Sequence, residues 1–318
     1  MAIDRRTFLG VTGVALLAAP LNTRASGFSL DGVEHGKALK DPAGKLVLTY
    51  LTSRPAGLEA NSACCIHPFY TLGGNCVTEL APSNHKDHRG IFFAWRNMEF
   101  KKGSQVVPAD FWGGAPASAD KTIVNRGLRL VRSDARLAEI AVDNEWMMSG
   151  EPAMKESTTM LVSDAEGARI LDLSYQFASD WDVTLNQIAY TGLCYRCRND
   201  GENTFFDSQG EVTLERQASS VPGNPASDWP ARPWYSYQLT IPGGKYISAA
   251  LFNHGSNPPT LWHGNRSVAF LQPCISAARG FTIPAGKPLT LRYRLLAYDG
   301  RFPAGMLDRM ASAWGARA

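Results

Sequence analysis

The sequence predicts an all-β protein: a large antiparallel β-sandwich with one short C-terminal helix. Two observations carry the sheets and one carries the helix. Apolar and polar residues alternate, or β-branched residues run together, in ten short segments. Turns rich in Gly, Pro, Asn and Asp separate them, such as those at 199–203 and 242–245. Helical spacing shows only over 304–316, where Met306, Met310, Ala313 and Trp314 fall on one side. Each strand with one apolar face needs a partner layer, so many such strands imply two packed sheets.

The first element is not part of that sandwich. Arg5 and Arg6 precede a mild apolar stretch, Val11 to Leu21, and then Thr23, Arg24 and Ala25. A twin-arginine pair, an apolar stretch and a small-residue cleavage site make a Tat-type export signal. The stretch is too short for a membrane anchor, which needs about 20 apolar residues. Residues 1–25 are therefore expected to be removed, leaving 26–318 as a single periplasmic or secreted domain with no membrane segment. That mature chain holds 29 basic and 28 acidic residues. A near-neutral balance gives no electrostatic footprint for nucleic acid.

The predicted strands follow in order: 46–52, 127–131, 138–143, 157–162, 169–177, 182–185, 211–214, 246–252, 267–271 and 289–298. Shorter alternating stretches at 76–80, 91–95 and 188–198 read the same way. The cysteines are Cys64, Cys65, Cys76, Cys194, Cys197 and Cys274. Cys194 and Cys197 have metal-type spacing but no second pair. On a strand their sulfurs point to opposite faces, so buried thiols or separate disulfides are expected.

Five of the six histidines fall in three short segments: His67 before Pro68, His85 and His88 in 84–90, and His254 and His263 in 253–263. Each segment also carries polar and turn-forming residues. Imidazole titrates near neutrality and ligates metals, so three such segments are expected to converge on one cleft, with His67, His88 and His263 pointing into it.

These residues carry a resemblance. His67 to Tyr70, Val77 to Glu79 and His85 to Trp95 resemble the core of a family usually called PmoA-like, and 253–263 is similar to its second hallmark. Asn84 and Asn253 stand where that family often has aspartate, and asparagine is no general base. The resemblance implies exported bacterial proteins in carbohydrate-use settings, with a galactose-mutarotase-like sandwich holding sugars on its concave face. That fold hosts epimerases, glycosidases and lyases, so it does not decide the reaction.

Site roles are assigned residue by residue. Cleaving a glycosidic bond needs carboxylates. Glu79, six residues before His85, is the nearest candidate; Asp110, Glu145 and Glu156 lie farther from the histidine segments. Glu79, His85, His88 and His263 are expected to do acid–base work. Asp87 would orient a neighbouring histidine. His67, Tyr70, Arg89, Arg232, His254, Asn257 and Trp262 are expected to bind substrate, Trp262 through its ring face and Arg232 bidentately from a loop that also contains Asp228. The expected partner is a carbohydrate or glycoside. Any cofactor would be a single divalent metal, with His85, His88 and a later histidine as a ligand set. Metal-free chemistry ranks ahead, because Arg89 would repel a cation. The alternatives are a metal-dependent sugar enzyme, an aldose epimerase, or a non-catalytic sugar-binding module.

Overall fold

The computed structural model describes residues 27–58, 63–113, 118–212 and 229–317. The segment expected to be an export signal, and Asp228, lie outside them. The chain forms two large antiparallel sheets that face each other across one core. The first has eight strands, ordered Ser29–Val33, Gly36–Lys40, Leu46–Leu51, Cys65–Phe69, Ile91–Ala94, Gly192–Arg196, Phe270–Cys274 and Leu261–Asn265. The second has nine: Gly210–Glu211, Glu202–Asp207, Trp234–Ile241, Lys245–Asn253, Leu289–Asp299, Ala168–Ala178, Glu151–Ala165, Leu137–Met148 and Lys121–Ser133.

Strand alternation places the core. Leu48, Tyr50, Ile66, Phe93 and Tyr195 of the first sheet meet Ile140, Val162, Leu173, Phe177, Tyr235 and Leu295 of the second in one buried cluster. Residues one position along face outward, as strand geometry requires. The six cysteines are free thiols. As the sequence implies, Cys194 and Cys197 separate: Cys194 packs on the outer face of the eight-stranded sheet and Cys197 in the main core.

A third sheet was not expected. Met98–Lys102 and Gln105–Ala109 form a hairpin that pairs with Asp182–Leu185, which in turn pairs with Phe281–Ile283. Met98 to Lys101 alternate buried and exposed, as one wet face requires, but Lys102 and the exposed Gln105 and Val106 break the pattern around the turn. The stretch 76–80 is also not a strand: Cys76, Thr78 and Leu80 make only isolated bridges.

The helix forms over Met306–Trp314. It lays Met306, Leu307, Met310 and Ala311 on Ile170, Trp234, Ala250, Phe252 and Leu296, the outer face of the nine-stranded sheet. Ala313, expected on the packed side, is exposed; Leu307 and Ala311 take its place. Among the described residues no helix is long and apolar enough to cross a membrane.

Candidate active site

The candidate site lies on the outer face of the eight-stranded sheet, beneath the segments that follow Cys65–Phe69 and Gln105–Ala109. Residues 81–88 fold into successive turns: the His85 N–H bonds the Pro82 carbonyl, His88 N–H the His85 carbonyl, and Ala81 N–H the His88 carbonyl. Pro82, Asn84 and Asp87 favour such turns. The chain then passes Gly90 at φ 66°. A Cβ there would sit 2.2 Å from the Ile66 carbonyl oxygen, so only glycine fits. Its N–H bonds the Glu79 carbonyl, and its own carbonyl accepts from Arg196 N–H, each at 2.8 Å. Gly90 thus joins Glu79, Arg89 and Arg196.

The side chains close into a ring of contacts. The His88 ring lies 4.8 Å from His85, 5.8 Å from Trp112 and 5.6 Å from Phe270. Phe270 stacks on His263 at 4.8 Å, and His263 lies 5.1 Å from Tyr190. The Tyr190 hydroxyl accepts a 2.8 Å bond from Arg96, whose Nε sits 3.5 Å from Asp110. Asp110 accepts the Trp112 backbone N–H, and the Trp112 indole N–H donates to Asp87 at 2.7 Å. Asp87 therefore positions Trp112 instead of a histidine.

Two guanidinium groups lie under this ring. Arg89 is buried, with its Cζ 4.3 Å from the Phe92 ring centroid and Nη1 donating to the Asp87 and Trp112 carbonyls. Arg196, also buried, donates through Nη2 to Glu79 at 2.7 Å. Glu79 is the end of that pair that reaches solvent, with 32% of its side chain exposed against 1% for Arg196. Gln272, fully buried, stands opposite His263 in the strand register. His85 Nδ1, His88 Nδ1, Arg89 Nε, Arg196 Nε and Nη1, and both amide atoms of Gln272 are buried without a hydrogen-bond partner among the described residues. Each orphaned polar atom costs about 1–3 kcal/mol.

Burial sets the protonation of His88 and His67. It pushes His88 down to about 3; Asp87 opposes the shift, while Arg196, His85 and Arg89 add to it. Burial also pushes His67 down to about 4. Both imidazoles are neutral at pH 7. Burial pushes Asp110 up, against its backbone N–H bonds and Arg96.

The structure brings Glu79, His85, His88, Arg89 and His263 together, and separates the other expected residues from them. His67 stands on the same sheet, but its Nδ1 is 2.9 Å from the Thr78 hydroxyl and engages no other histidine. Tyr70, half-buried, makes a backbone bridge with Cys76. His254 belongs to the other sheet: its Nδ1 bonds within its own turn to Ser256, and its ring packs 4.9 Å from Trp314 of the helix. Asn257 clamps backbone, donating to the Arg292 carbonyl and accepting Arg292 N–H, both at 2.8 Å. Trp262 is a core plug, 1% exposed, 4.9 Å from Tyr235 and bonded through its indole to the Arg232 carbonyl. Arg232 is committed to Asp207 at 3.0 Å and Gln209 at 2.7 Å. Of the three histidines expected in one cleft, His88 and His263 meet through Phe270, while the third segment splits because His254 and His263 end on different sheets.

The expected metal set is not assembled: among the described residues no three His, Cys, Asp or Glu side chains are grouped to share an ion. Of the other carboxylates, Glu156 is buried in the main core and accepts from Asn144, Trp146 and Thr158. Glu145 pairs with Arg126. Asp110 does join the site. Arg196, Gln272, Arg96, Trp112 and Tyr190 were missed. A charged or amide side chain inside the otherwise apolar strands 192–196 and 270–274 was the available signal for the first two.

No curated protein matches the sequence. Among solved structures, a galactose mutarotase related enzyme from Lactobacillus acidophilus aligns with a TM-score of 0.40 at 6% identity, over 86% of this chain and 100% of that one. A galactose mutarotase-like protein from Lactobacillus casei aligns with a TM-score of 0.40 at 8% identity, over 86% and 100%. The heparan sulfate lyase HepC from Pedobacter heparinus aligns with a TM-score of 0.38 at 8% identity, over 88% of this chain and 36% of that one. A family model matches residues 41–312, which is most of the chain. The chain therefore belongs to DUF6807, a family of unknown function.

Proposed function

We propose that this chain is an exported carbohydrate-active enzyme that cleaves a glycosidic linkage by elimination next to a uronic acid. The carrying observation is an imbalance at the site: among the described residues Arg89, Arg196 and Gln272 keep buried N–H groups without a partner, and Arg196 is paired with Glu79, which reaches solvent. Hydrolysis by the usual route needs two working carboxylates. Here Asp87 is held by the Trp112 indole, and Asp110 by backbone N–H groups and Arg96. Elimination needs one base, together with donors that stabilise the substrate carboxylate as its α-proton leaves.

In this reading Glu79 takes the C5 proton of the uronate. The electron pair forms the C4–C5 double bond, the C4–O glycosidic bond breaks, and the leaving oxygen takes a proton from His85; afterwards Glu79 returns its proton to water and His85 regains one from it. Arg196, held against Glu79, and Gln272 receive the substrate carboxylate. Neutral His88 supports His85 from below, and half-buried Tyr190 offers the ring face first expected of Trp262. The resemblance to PmoA-like proteins and the twin-arginine segment support a periplasmic carbohydrate setting.

The test is incubation with uronate-containing polysaccharides, reading the ultraviolet absorbance of the unsaturated product. Wild type is expected to produce it and Glu79→Gln to lose it while still binding the polymer. Reducing ends released without that absorbance would move the assignment to hydrolysis. Binding without turnover in wild type would make the protein a sugar-binding module.

A further inference from the structure

A second recess lies on the opposite sheet, where the segment leading into the C-terminal helix overhangs the nine-stranded sheet. It is a groove of about 620 Å³, a size ordinary for small-molecule sites. Its floor is polar and built by register. Thr204 pairs with Gln238 and Gln238 with Ser248, so three hydrogen-bonding side chains form a row across three strands. Ser236, two residues from Gln238 on the same strand, extends the floor along the strand direction. Thr204, Ser236 and Gln238 make no side-chain hydrogen bond among the described residues. Ser248 is already bonded to the Gly300 carbonyl.

The walls select against charge. Asp207 is closed by Arg232, and Glu211 by Arg266. Asp308 accepts the Trp234 indole N–H through one oxygen and is otherwise exposed, while Arg301 lies over the Tyr246 ring at 4.1 Å. With Asp207 and Glu211 each paired to an arginine, Asp308 and Arg301 balance, and the wall has no net charge to attract an anion. Half-buried Phe302, stacked on Tyr298 at 5.0 Å, supplies an apolar ring beside the polar floor. Free hydroxyls, an amide and an aromatic ring around a groove without net cationic charge match a neutral molecule rich in hydroxyls and C–H faces.

We propose that this groove is a second binding site, for a neutral saccharide, separate from the histidine site on the other sheet. Gln238, Thr204 and Ser236 hydrogen-bond the sugar hydroxyls, Asp308 accepts from them, and Phe302 meets the ring face. The assignment rests on the groove alone and is independent of the elimination chemistry.

The test is calorimetric titration of Glu79→Gln protein with maltotriose, cellotriose and xylotriose, with a trisaccharide of uronic acids as the charged control. At least one neutral trisaccharide is expected to bind, and to bind at least tenfold more weakly in Gln238→Ala and in Ser236→Phe, which fills the floor. Gln238 is half-buried on the sheet surface, so its variant is expected to keep the parent melting temperature and tests the proposal even where Ser236→Phe does not fold. A uronic acid trisaccharide whose binding is unchanged by both variants belongs to the histidine site and leaves the groove assignment intact. No binding of any neutral trisaccharide, or neutral binding that Gln238→Ala leaves unchanged, overturns it.

Discussion

The outer faces of the two large sheets are covered in opposite ways. Beneath the helix, the nine-stranded sheet is sealed by Met306, Leu307, Met310 and Ala311, and Trp234 has its indole N–H bonded to Asp308. Over the eight-stranded sheet the cover is two loops, and beneath them lie two arginines, a glutamine, His85 and neutral His88, all with hydrogen-bonding atoms left open among the described residues. Apolar cover gains free energy from burial alone. Polar cover left unbonded costs free energy, so a chain keeps such an arrangement where a ligand satisfies it. The difference separates the patch under the helix, which stabilises, from the loop-covered face that carries the histidine site.

The largest effect sharpens that comparison on the active side. Glu79→Gln is expected to lower turnover about 10²–10⁴-fold, the scale for one positioned acid–base group. The amide keeps an oxygen for Arg196 but leaves that buried guanidinium without its counter-charge, which costs up to about 3–5 kcal/mol, so turnover is read per folded molecule. Turnover equal to wild type would remove Glu79 from the chemistry.

On the stabilising side, Met310→Ala is expected to cost about 2–5 kcal/mol by cavity formation, read by denaturant unfolding, with turnover per folded molecule unchanged. A fall in turnover at full folding would mean that the two faces are coupled.

Acid should report the polar face. His88 has a folded pKa of about 3 and His67 of about 4, against about 6.5 unfolded. A depressed histidine pKa means that the unfolded state takes the proton first. The contribution is therefore complete above pH 6.5 and is lost as pH falls toward 3 for His88 and toward 4 for His67. Each excluded proton removes at most about 1.4 kcal/mol per pH unit, and solvent screens part of that for half-buried His67. His88→Asn should flatten the stability curve between pH 6 and 4. Superimposable curves for variant and wild type would show that His88 takes its proton in the folded state.

The smallest effect divides the two histidines of one segment. His254→Ala should cost about 1 kcal/mol through its lost turn bonds and leave turnover alone. His263→Ala should change turnover, read in the same assay. Equal turnover losses in both would restore the single-cleft grouping of that segment.

Much of the site was legible because short loops keep neighbours together. Glu79, His85, His88 and Arg89 lie within eleven residues, and the turns at 81–88 hold them on one sheet. The all-β class, the C-terminal helix and the opposite placement of Cys194 and Cys197 also follow from local pattern. Local pattern is enough there because periods of 2 and 3.6 residues fix which side chains share a face.

Sequence by itself could not say which sheet a strand joins. His254 and His263 are nine residues apart, yet Lys245–Asn253 pairs in the nine-stranded sheet and Leu261–Asn265 in the eight-stranded one. Trp262 reads equally as a sugar platform or a core plug until the strand register turns it inward against Tyr235. Arg196 and Gln272 become site residues only when Gly192–Arg196 and Phe270–Cys274 pair side by side under the loops. These outcomes depend on contacts between residues far apart in the chain, and a one-residue change of register would send each side chain to the other face. Local sequence thus determined the elements and their faces, while long-range pairing decided which faces meet, and with them the site.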